Sequence, residues 1–321
     1  MADSVQTATG PVAAGDLGTT LIHEHVRFRD EAVAEQWPDR YDGSEEYSLA
    51  VEAVQAALER GVKTICEPTA MFGGRDIDFI RRVAEETGAQ IVACTGIYTY
   101  DYLPPYFQNR EAEAIAEHFT RDIEEGIQGT EIKAGFLKCA CDEPGMTANV
   151  EKVHRAVAKA SIATGAPIMA HSRPASGTGP LQADVFLDEG VDPAKVQIAH
   201  TGDSEALDYI EGLLERGVYI GMDRYGLELF LPIEKRNTTL AELLRRGHAE
   251  QMMLSQDFCA TIDWFPQEAE EQLIAGGLVR EDWSMTLIFD QVIPVLREEG
   301  MTDEQLDAML VEAPRRWLAG A

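Results

Sequence analysis

Two histidines lie one residue apart in the apolar segment "TLIHEHV", residues 20–26. If this segment is a β-strand, His23 and His25 project from one side and Glu24 projects from the other, because side chains alternate along a strand. Two imidazoles on one side can bind the same metal ion. The spacing alone does not distinguish a metal site from an ordinary pair of core or surface histidines. Residues at the ends of the other predicted strands provide the further evidence.

Further residues that can bind a metal, directly or after modification, end other predicted strands: Lys138 the fourth, His171 the fifth, His200 the sixth and Asp257 the eighth. In a parallel barrel, the carboxyl ends of all strands meet on the face where active sites are found. Six potential ligands from five strands would therefore meet there. The other histidines fall in or beside predicted helices, where we expect ordinary structural roles.

Imidazole and carboxylate ligands suit zinc, iron, cobalt or manganese, and too few thiols lie among them for a closed structural zinc site. Four histidines and one aspartate exceed the ligand set of one catalytic zinc ion, which indicates two metals bridged by an anion. Lys138 could supply that bridge only after CO2 has carboxylated its amine, because a protonated ammonium does not bind a cation. Lys133 is the alternative candidate for the bridging lysine, but it precedes the predicted strand. We therefore expect an open hydrolytic site with two divalent ions, zinc being the preferred one.

Short runs rich in Val, Ile and Leu alternate with longer amphipathic runs, which is typical of βα units and a parallel sheet. The segments "SEEYSLAVEAVQAALERG" and "SEALDYIEGLLERG" each begin at Ser and end at Gly, as helices often do. We predict an α/β fold, a (β/α)8 TIM barrel. A doubly wound sheet is the alternative, but its first turn is usually glycine-rich, unlike "HEHVRF". The predicted strands span residues 18–25, 62–68, 90–96, 134–138, 166–171, 195–200, 218–223 and 252–257.

The length of 321 residues suits one barrel, and we predict a single domain over residues 1–321. The segment 259–282 is too long for a plain βα loop and is a candidate lid.

A formal charge of −29 disfavours binding to nucleic acid or an anionic membrane, whereas neutral substrates are tolerated. Neither a membrane-spanning run nor a signal segment is evident, and the five cysteines predict free thiols, so we expect a cytoplasmic protein.

The segments "TLIHEHV", "AGFLK", "IMAHS", "QIAHTGD" and "LSQDFC" resemble, in order, the metal-binding motifs of the phosphotriesterase family of the amidohydrolase superfamily. The segments "TGIYTYDYLPPYF", "DRYGLELFLP" and "CATIDWF" resemble the phosphotriesterase-like lactonases within it. Those enzymes hydrolyse N-acyl-homoserine lactones and other lactones, and they show weaker organophosphate hydrolysis. The resemblance spans nearly the whole chain, and it implies quorum-signal lactones as substrates and a homodimer as the assembly.

The resemblance also implies a role for each ligand. His23, His25 and Asp257 would hold the more buried metal, and His171 and His200 would hold the more exposed one. A carboxylated Lys138 and a hydroxide would bridge the two ions. Asp257 would also carry the proton away from the attacking hydroxide. The residues expected to orient the lactone or shape its pocket are Tyr98, Arg224, Tyr225, Cys259 and Trp264.

Some positions depart from the pattern or allow another function. Cys139 and Cys141 follow the bridging lysine, where we expect them to pack rather than bind metal. Glu67 ends the second predicted strand, and we expect it to support the ligands without joining them. The alternatives are a dedicated phosphotriesterase, a cyclic amidase or deaminase, and a barrel without catalysis. A complete ligand set on the catalytic face argues against the last.

Overall fold

Eight parallel strands form the central sheet of this computed structural model, which describes residues 4–320. Neighbouring strands follow the order of the chain, and the sheet nearly closes on itself with helices between its strands. The predicted (β/α)8 TIM barrel is confirmed. The barrel strands are β3 and β5 to β11 of the following set: β1 (Ser4–Thr7), β2 (Gly10–Ala13), β3 (Thr20–Leu21), β4 (Glu24–His25), β5 (Thr64–Glu67), β6 (Gln90–Gly96), β7 (Phe136–Ala140), β8 (Ile168–His171), β9 (Val196–Ala199), β10 (Tyr219–Met222), β11 (Met252–Leu254) and β12 (Phe258–Cys259).

Helices surround this sheet, and several begin and end where local chemistry requires it. Asp76 accepts a hydrogen bond from Phe79 N at the start of α3, and Gly88 ends that helix at a φ of 76°, which glycine adopts without steric cost. The helices are α1 (Glu31–Gln36), α2 (Gly43–Glu59), α3 (Ile77–Thr87), α4 (Pro105–Gln108), α5 (Ala112–Glu124), α6 (Ala148–Thr164), α7 (Thr178–Asp188), α8 (Leu207–Leu214), α9 (Ile233–Arg245), α10 (Gln267–Ala275), α11 (Ile293–Glu298), α12 (Asp303–Asp307) and α13 (Ala313–Ala319).

Side chains alternate between the two faces of the sheet and so build two layers of core. Leu137 belongs to the cluster that packs against the helices, and its neighbour Phe136 belongs to the cluster inside the barrel. Trp317 of α13 lies 5.5 Å from Phe136 between ring centroids, and its indole N–H donates to Lys195 O just before β9. Helix α13 therefore covers the amino-terminal end of the barrel and leaves the carboxyl end free for the site.

The seam between the first and last barrel strands is joined at the carboxyl end. Strand β4 pairs in parallel with β12, and Asp257 N donates to His23 O at 3.1 Å. Glu24 lies between the two histidines in the sequence, and its side chain is fully buried. Its carboxylate accepts hydrogen bonds from four donors across this seam: Ser255 Oγ, Gln256 N, Gln256 Nε2 and Phe258 N. Glu24 thus fixes the first strand against the segment that carries Asp257.

Several predicted strand boundaries are wrong by a few residues. Residues 18–25 form two short strands with His23 between them, and Lys138 lies inside β7 rather than at its end. Strand β9 ends directly before His200, whose φ of 64° cannot continue an extended strand, and β11 ends at Leu254, before Asp257 is reached.

The predicted helix starts at serine are also wrong. Helix α2 is capped by Asp42, and α8 begins three residues after Ser204. The antiparallel hairpin of β1 and β2 was not predicted from the sequence. The candidate lid 259–282 contains the short strand β12 and helix α10. In the range 4–320, no helix is long and apolar enough to cross a bilayer.

Candidate metal centre and active site

The structure brings the predicted ligands of the first and eighth strands together. Nε2 of His23 lies 3.2 Å from Oδ1 of Asp257, and Nε2 of His25 lies 3.3 Å from the same oxygen. The amine of Lys138 lies 3.2 Å from Nε2 of His23. Side chains from three separate strand regions therefore converge on one buried point at the carboxyl end of the barrel.

The two remaining histidines complete the cluster. The ring centroids of His171 and His200 are 4.6 Å apart, and those of His23 and His200 are 4.8 Å apart. Ligand atoms of His23, His200 and Asp257 all lie within 4.8 Å of one another. Nε2 of His200 is buried and makes no hydrogen bond with any residue in the range 4–320, so its lone pair is available to a metal.

A single aspartate orients two of the imidazoles. Asp223, fully buried after β10, places Oδ2 3.1 Å from Nδ1 of His23 and Oδ1 3.0 Å from Nδ1 of His200. Burial acts to raise the pKa of Asp223, but the two imidazoles beside it hold that pKa well below its usual range. The ionised carboxylate accepts an N–H from each ring, which leaves Nε2 of both histidines facing the centre.

The other two histidines are oriented in the same way by different partners. Nδ1 of His25 donates to Thr69 Oγ1 at 2.6 Å, and that hydroxyl donates to Glu67 Oε1 at 2.5 Å. Nε2 of His171 donates to Asp142 Oδ2 at 2.7 Å. Each imidazole therefore keeps one unprotonated nitrogen for a metal, Nε2 in His25 and Nδ1 in His171. Glu67 therefore contacts the predicted ligand His25 through Thr69.

Burial disfavours the protonated forms of His23, His171 and Lys138. It lowers the pKa of His23 and of His171 to about 4, and it lowers the pKa of the Lys138 amine. Neutral imidazoles bind metals, and a neutral amine can react with CO2. Burial acts to raise the pKa of Asp257, but the adjacent histidines and Arg224 hold it well below its usual range. The donor set of imidazoles and a carboxylate therefore fits divalent metal ions.

Two of the predicted ligands occupy strained backbone positions. His200 and Asp257 both have positive φ angles, an uncommon conformation for residues other than glycine, which costs on the order of 1 kcal/mol or more per residue. The turn at His200 ends β9, the turn at Asp257 follows the end of β11, and both side chains reach the centre. Hydrogen bonds of His200 N to Asp223 Oδ1 and of Asp257 N to His23 O hold these turns. Strain that is held in this way is typical of functional sites.

An apolar pocket opens directly over the histidines. Phe28, Tyr98 and Trp264 contact one another edge to face, with ring centroids 5.2 to 5.9 Å apart. The hydroxyl of Tyr98 lies 2.9 Å from that of Tyr100 and 3.4 Å from Nδ1 of His171. Leucine, isoleucine and valine side chains from the loops after β10 and β11 complete the wall. Tyr98 therefore lies where the predicted ligands meet the pocket.

The remaining predicted pocket residues separate into two groups. Arg224, Cys259 and Trp264 line the pocket, and Arg224 Nε donates to Asp257 Oδ2 at 2.9 Å. Tyr225 does not line it, which corrects the prediction. Its neighbour Arg224 points into the pocket, whereas Tyr225 points into the core, where only 1 % of its surface is exposed.

Sequence reasoning missed the residues that orient the histidines. Asp223 could have been found, because it ends the seventh predicted strand on the same face as the ligands. Asp142 and Thr69 follow strands in loops, and their sequence context carries no comparable signal. Cys139 and Cys141 are fully buried, and Cys139 packs in the core.

Comparisons with known proteins agree with this geometry. A family model described as the phosphotriesterase family matches residues 3–318. The chain is 46% identical to an aryldialkylphosphatase of Saccharolobus solfataricus, over 96% of this chain and 97% of that protein. It is 42% identical to a phosphotriesterase homology protein of Mycobacterium tuberculosis, over 97% of this chain and 96% of that protein.

A solved structure is equally similar. The structure of the phosphotriesterase from Mycobacterium tuberculosis superposes with a TM-score of 0.93 at 42% sequence identity and covers 98% of both chains. The similarity therefore extends over the whole barrel.

Proposed function

Because the chain belongs to the phosphotriesterase family and is a metal-dependent hydrolase, we propose that it hydrolyses N-acyl-homoserine lactones and related lactones, with weaker activity on phosphate triesters. The observation that carries this proposal is an apolar, aromatic pocket directly above the buried histidine and aspartate cluster. Such a pocket suits an uncharged ring with an acyl chain. The net charge of −29 also suits a neutral substrate.

We assign the metal ligands as the sequence predicts. His23, His25 and Asp257 would hold one divalent ion, His171 and His200 would hold the other, and a carboxylated Lys138 would link them. Zinc is the preferred ion, and iron, cobalt or manganese suits the same donors. When bound, the two ions would make a water acidic enough to attack at neutral pH and would polarise the substrate carbonyl.

The chain's own groups handle the proton and the leaving group. Asp257 remains ionised because Arg224 donates to its Oδ2, and its carboxylate accepts the proton of the attacking water. The hydroxyl of Tyr98 faces the cluster and donates to the alkoxide that leaves as the ring opens. The aromatic wall of Phe28 and Trp264 excludes water from the bound ring. The product is a hydroxy acid.

A second candidate is the hydrolysis of aryl dialkyl phosphates as the main activity, which the name of the Saccharolobus relative favours. Both substrates are neutral, and both develop negative charge on one oxygen during attack. Paired initial rates for a long-chain N-acyl-homoserine lactone and for paraoxon, measured on one preparation, distinguish the two. A much larger kcat/KM for the lactone supports our proposal, whereas a dominant triester rate would replace it with the second candidate.

The proposed assembly is a homodimer, and the proposed compartment is the cytoplasm. Light scattering during size-exclusion chromatography tests the assembly, because a dimer has twice the mass of the chain. A monomer at micromolar concentration would contradict it.

A further inference from the structure

The pocket wall contains one carboxylate that the proposed reaction does not use. Glu270 lies on α10, partly buried, and lines the same pocket as the histidine cluster. Leu273, three residues later, lines it too, which is the spacing of side chains on one face of a helix. The neighbouring acid Glu268 is exposed and does not line the pocket, because two residues along a helix turn the side chain away.

Glu270 differs from the other charged groups of the pocket in having no counterion. Arg224 and Asp257 are paired with each other at 2.9 Å, and Arg224 also pairs with Asp203 at 3.1 Å. Within residues 4–320, the carboxylate of Glu270 forms no ion pair and no side-chain hydrogen bond. One acidic residue without an ion pair therefore borders the largely apolar wall, on α10 rather than at the reacting centre, and it also borders the adjacent open cavity beside Tyr41.

This arrangement has a consequence for the tail of a bound substrate. An apolar tail that covers Glu270 removes water from a carboxylate without replacing its hydrogen bonds, which costs free energy. A tail that ends in a carboxylate adds charge repulsion to that cost, whereas a cationic end replaces the lost water with an attractive partner. The interaction is stronger beside apolar side chains than in open solvent.

We infer that Glu270 is a specificity-determining residue, which favours substrates with a cationic tail over substrates whose tail ends in a carboxylate. This inference rests on the proposed function, since it assigns the pocket to the acyl tail. It concerns the far end of the substrate and leaves the reacting ring to the residues described above.

The test uses N-acyl-homoserine lactones of equal chain length whose tails end in methyl, trimethylammonium or carboxylate. The measurement is kcat/KM for each in the wild-type protein, in Glu270→Gln and in Glu268→Gln, all loaded with metal. Both variants lose one negative charge, so Glu268→Gln corrects for the overall field of the acidic protein. We expect the wild-type protein and Glu268→Gln to prefer the cationic tail over the anionic one by roughly tenfold, and Glu270→Gln by about twofold. Added salt should weaken the wild-type preference.

Equal rates on all three tails in the wild-type protein would overturn the inference while leaving lactone hydrolysis intact. An equal loss of preference in both variants would also overturn it, because the overall charge would then explain the effect. A parallel series of phosphate triesters with the same three tail ends separates the two proposals. If only the triesters are hydrolysed and Glu270→Gln no longer prefers the triester with the cationic tail, the lactone assignment fails and the role of Glu270 stands. Hydrolysis of neither series would overturn both.

Discussion

Nδ1 of His200 donates a hydrogen bond of 3.0 Å to Oδ1 of Asp223. The other oxygen of Asp223 takes the corresponding N–H of His23, so one buried carboxylate sets the tautomer of two proposed ligands on different strands. An amide at this position has only one oxygen, and its NH2 group would face an N–H that needs an acceptor.

The replacement Asp223→Asn should therefore weaken metal binding by roughly 10- to 100-fold. Competition with a chelator, followed by metal analysis, measures the affinity. The exposed Asp188 at the end of α7 provides the matched control, and Asp188→Asn should bind metal like the wild-type protein. Unchanged metal affinity in Asp223→Asn would show that this carboxylate does not orient the ligands.

The hydroxyl of Tyr98 provides a second prediction. Tyr98→Phe keeps the aromatic contacts with Phe28 and Trp264 but removes the group that faces His171. The kcat for lactone hydrolysis should fall by roughly 10- to 100-fold while metal content stays constant. The control is Tyr225→Phe, because the buried hydroxyl of Tyr225 has no hydrogen-bond partner among the described residues and lies outside the pocket. Equal kcat values for the two variants would remove Tyr98 from the mechanism.

A buried histidine outside the site predicts part of the pH dependence of stability. Burial lowers the pKa of His154 from 6.5 to about 4, and its ring is held by Val150 O and Gln182. Between these pH values, His154 is protonated in the unfolded chain but stays neutral in the folded protein. Its contribution to stability therefore falls as the pH decreases from about 6.5 to about 4. The full effect is about 3 kcal/mol.

Urea unfolding at several pH values checks this prediction. His154→Gln should lose less stability than the wild-type protein between pH 6.5 and pH 4, and the difference between the two isolates this residue from the site histidines. His118 is exposed, so His118→Gln should follow the wild-type curve. Parallel curves for the wild-type protein and His154→Gln would contradict the assignment.

Glu24 should be essential to the stability of the barrel seam. Its carboxylate accepts from four donors, and glutamine would direct an NH2 group at some of them. We expect Glu24→Gln to reduce the free energy of unfolding by about 3 kcal/mol, because buried donors lose their acceptor. Denaturant unfolding measures the change, with the exposed Glu52→Gln on α2 as the control. A loss below about 0.5 kcal/mol would be within the range of surface substitutions and would contradict the role.

The sequence was sufficient to predict the barrel, because alternation of apolar strands with amphipathic helices is a property of each segment by itself. It also predicted that six potential ligands would meet at the carboxyl end of the barrel, and the structure brings these side chains together there. It could not predict that His200 and Asp257 adopt positive φ angles, since those turns are held by hydrogen bonds to Asp223 and His23 from other strands. Contacts distant in sequence decide such local conformations.

The direction of the pocket side chains could not be predicted from the local sequence either. Arg224 and Tyr225 are adjacent in a turn, and only the packing of the surrounding helices decides which one faces the pocket and which one the core. Glu24 lies between two proposed ligands, and the sequence showed only that it faces away from them. Its four donors come from residues more than two hundred positions later.

The most direct test of the account is the rate of lactone hydrolysis before chelation, after chelation and after the return of zinc, in the wild-type protein and in His23→Ala. We predict that chelation abolishes the wild-type rate, that zinc restores it, and that His23→Ala binds less metal and stays inactive. An undiminished lactone rate in metal-free protein, or full activity of His23→Ala at unchanged metal content, would contradict the assignment of this cluster as the catalytic metal centre.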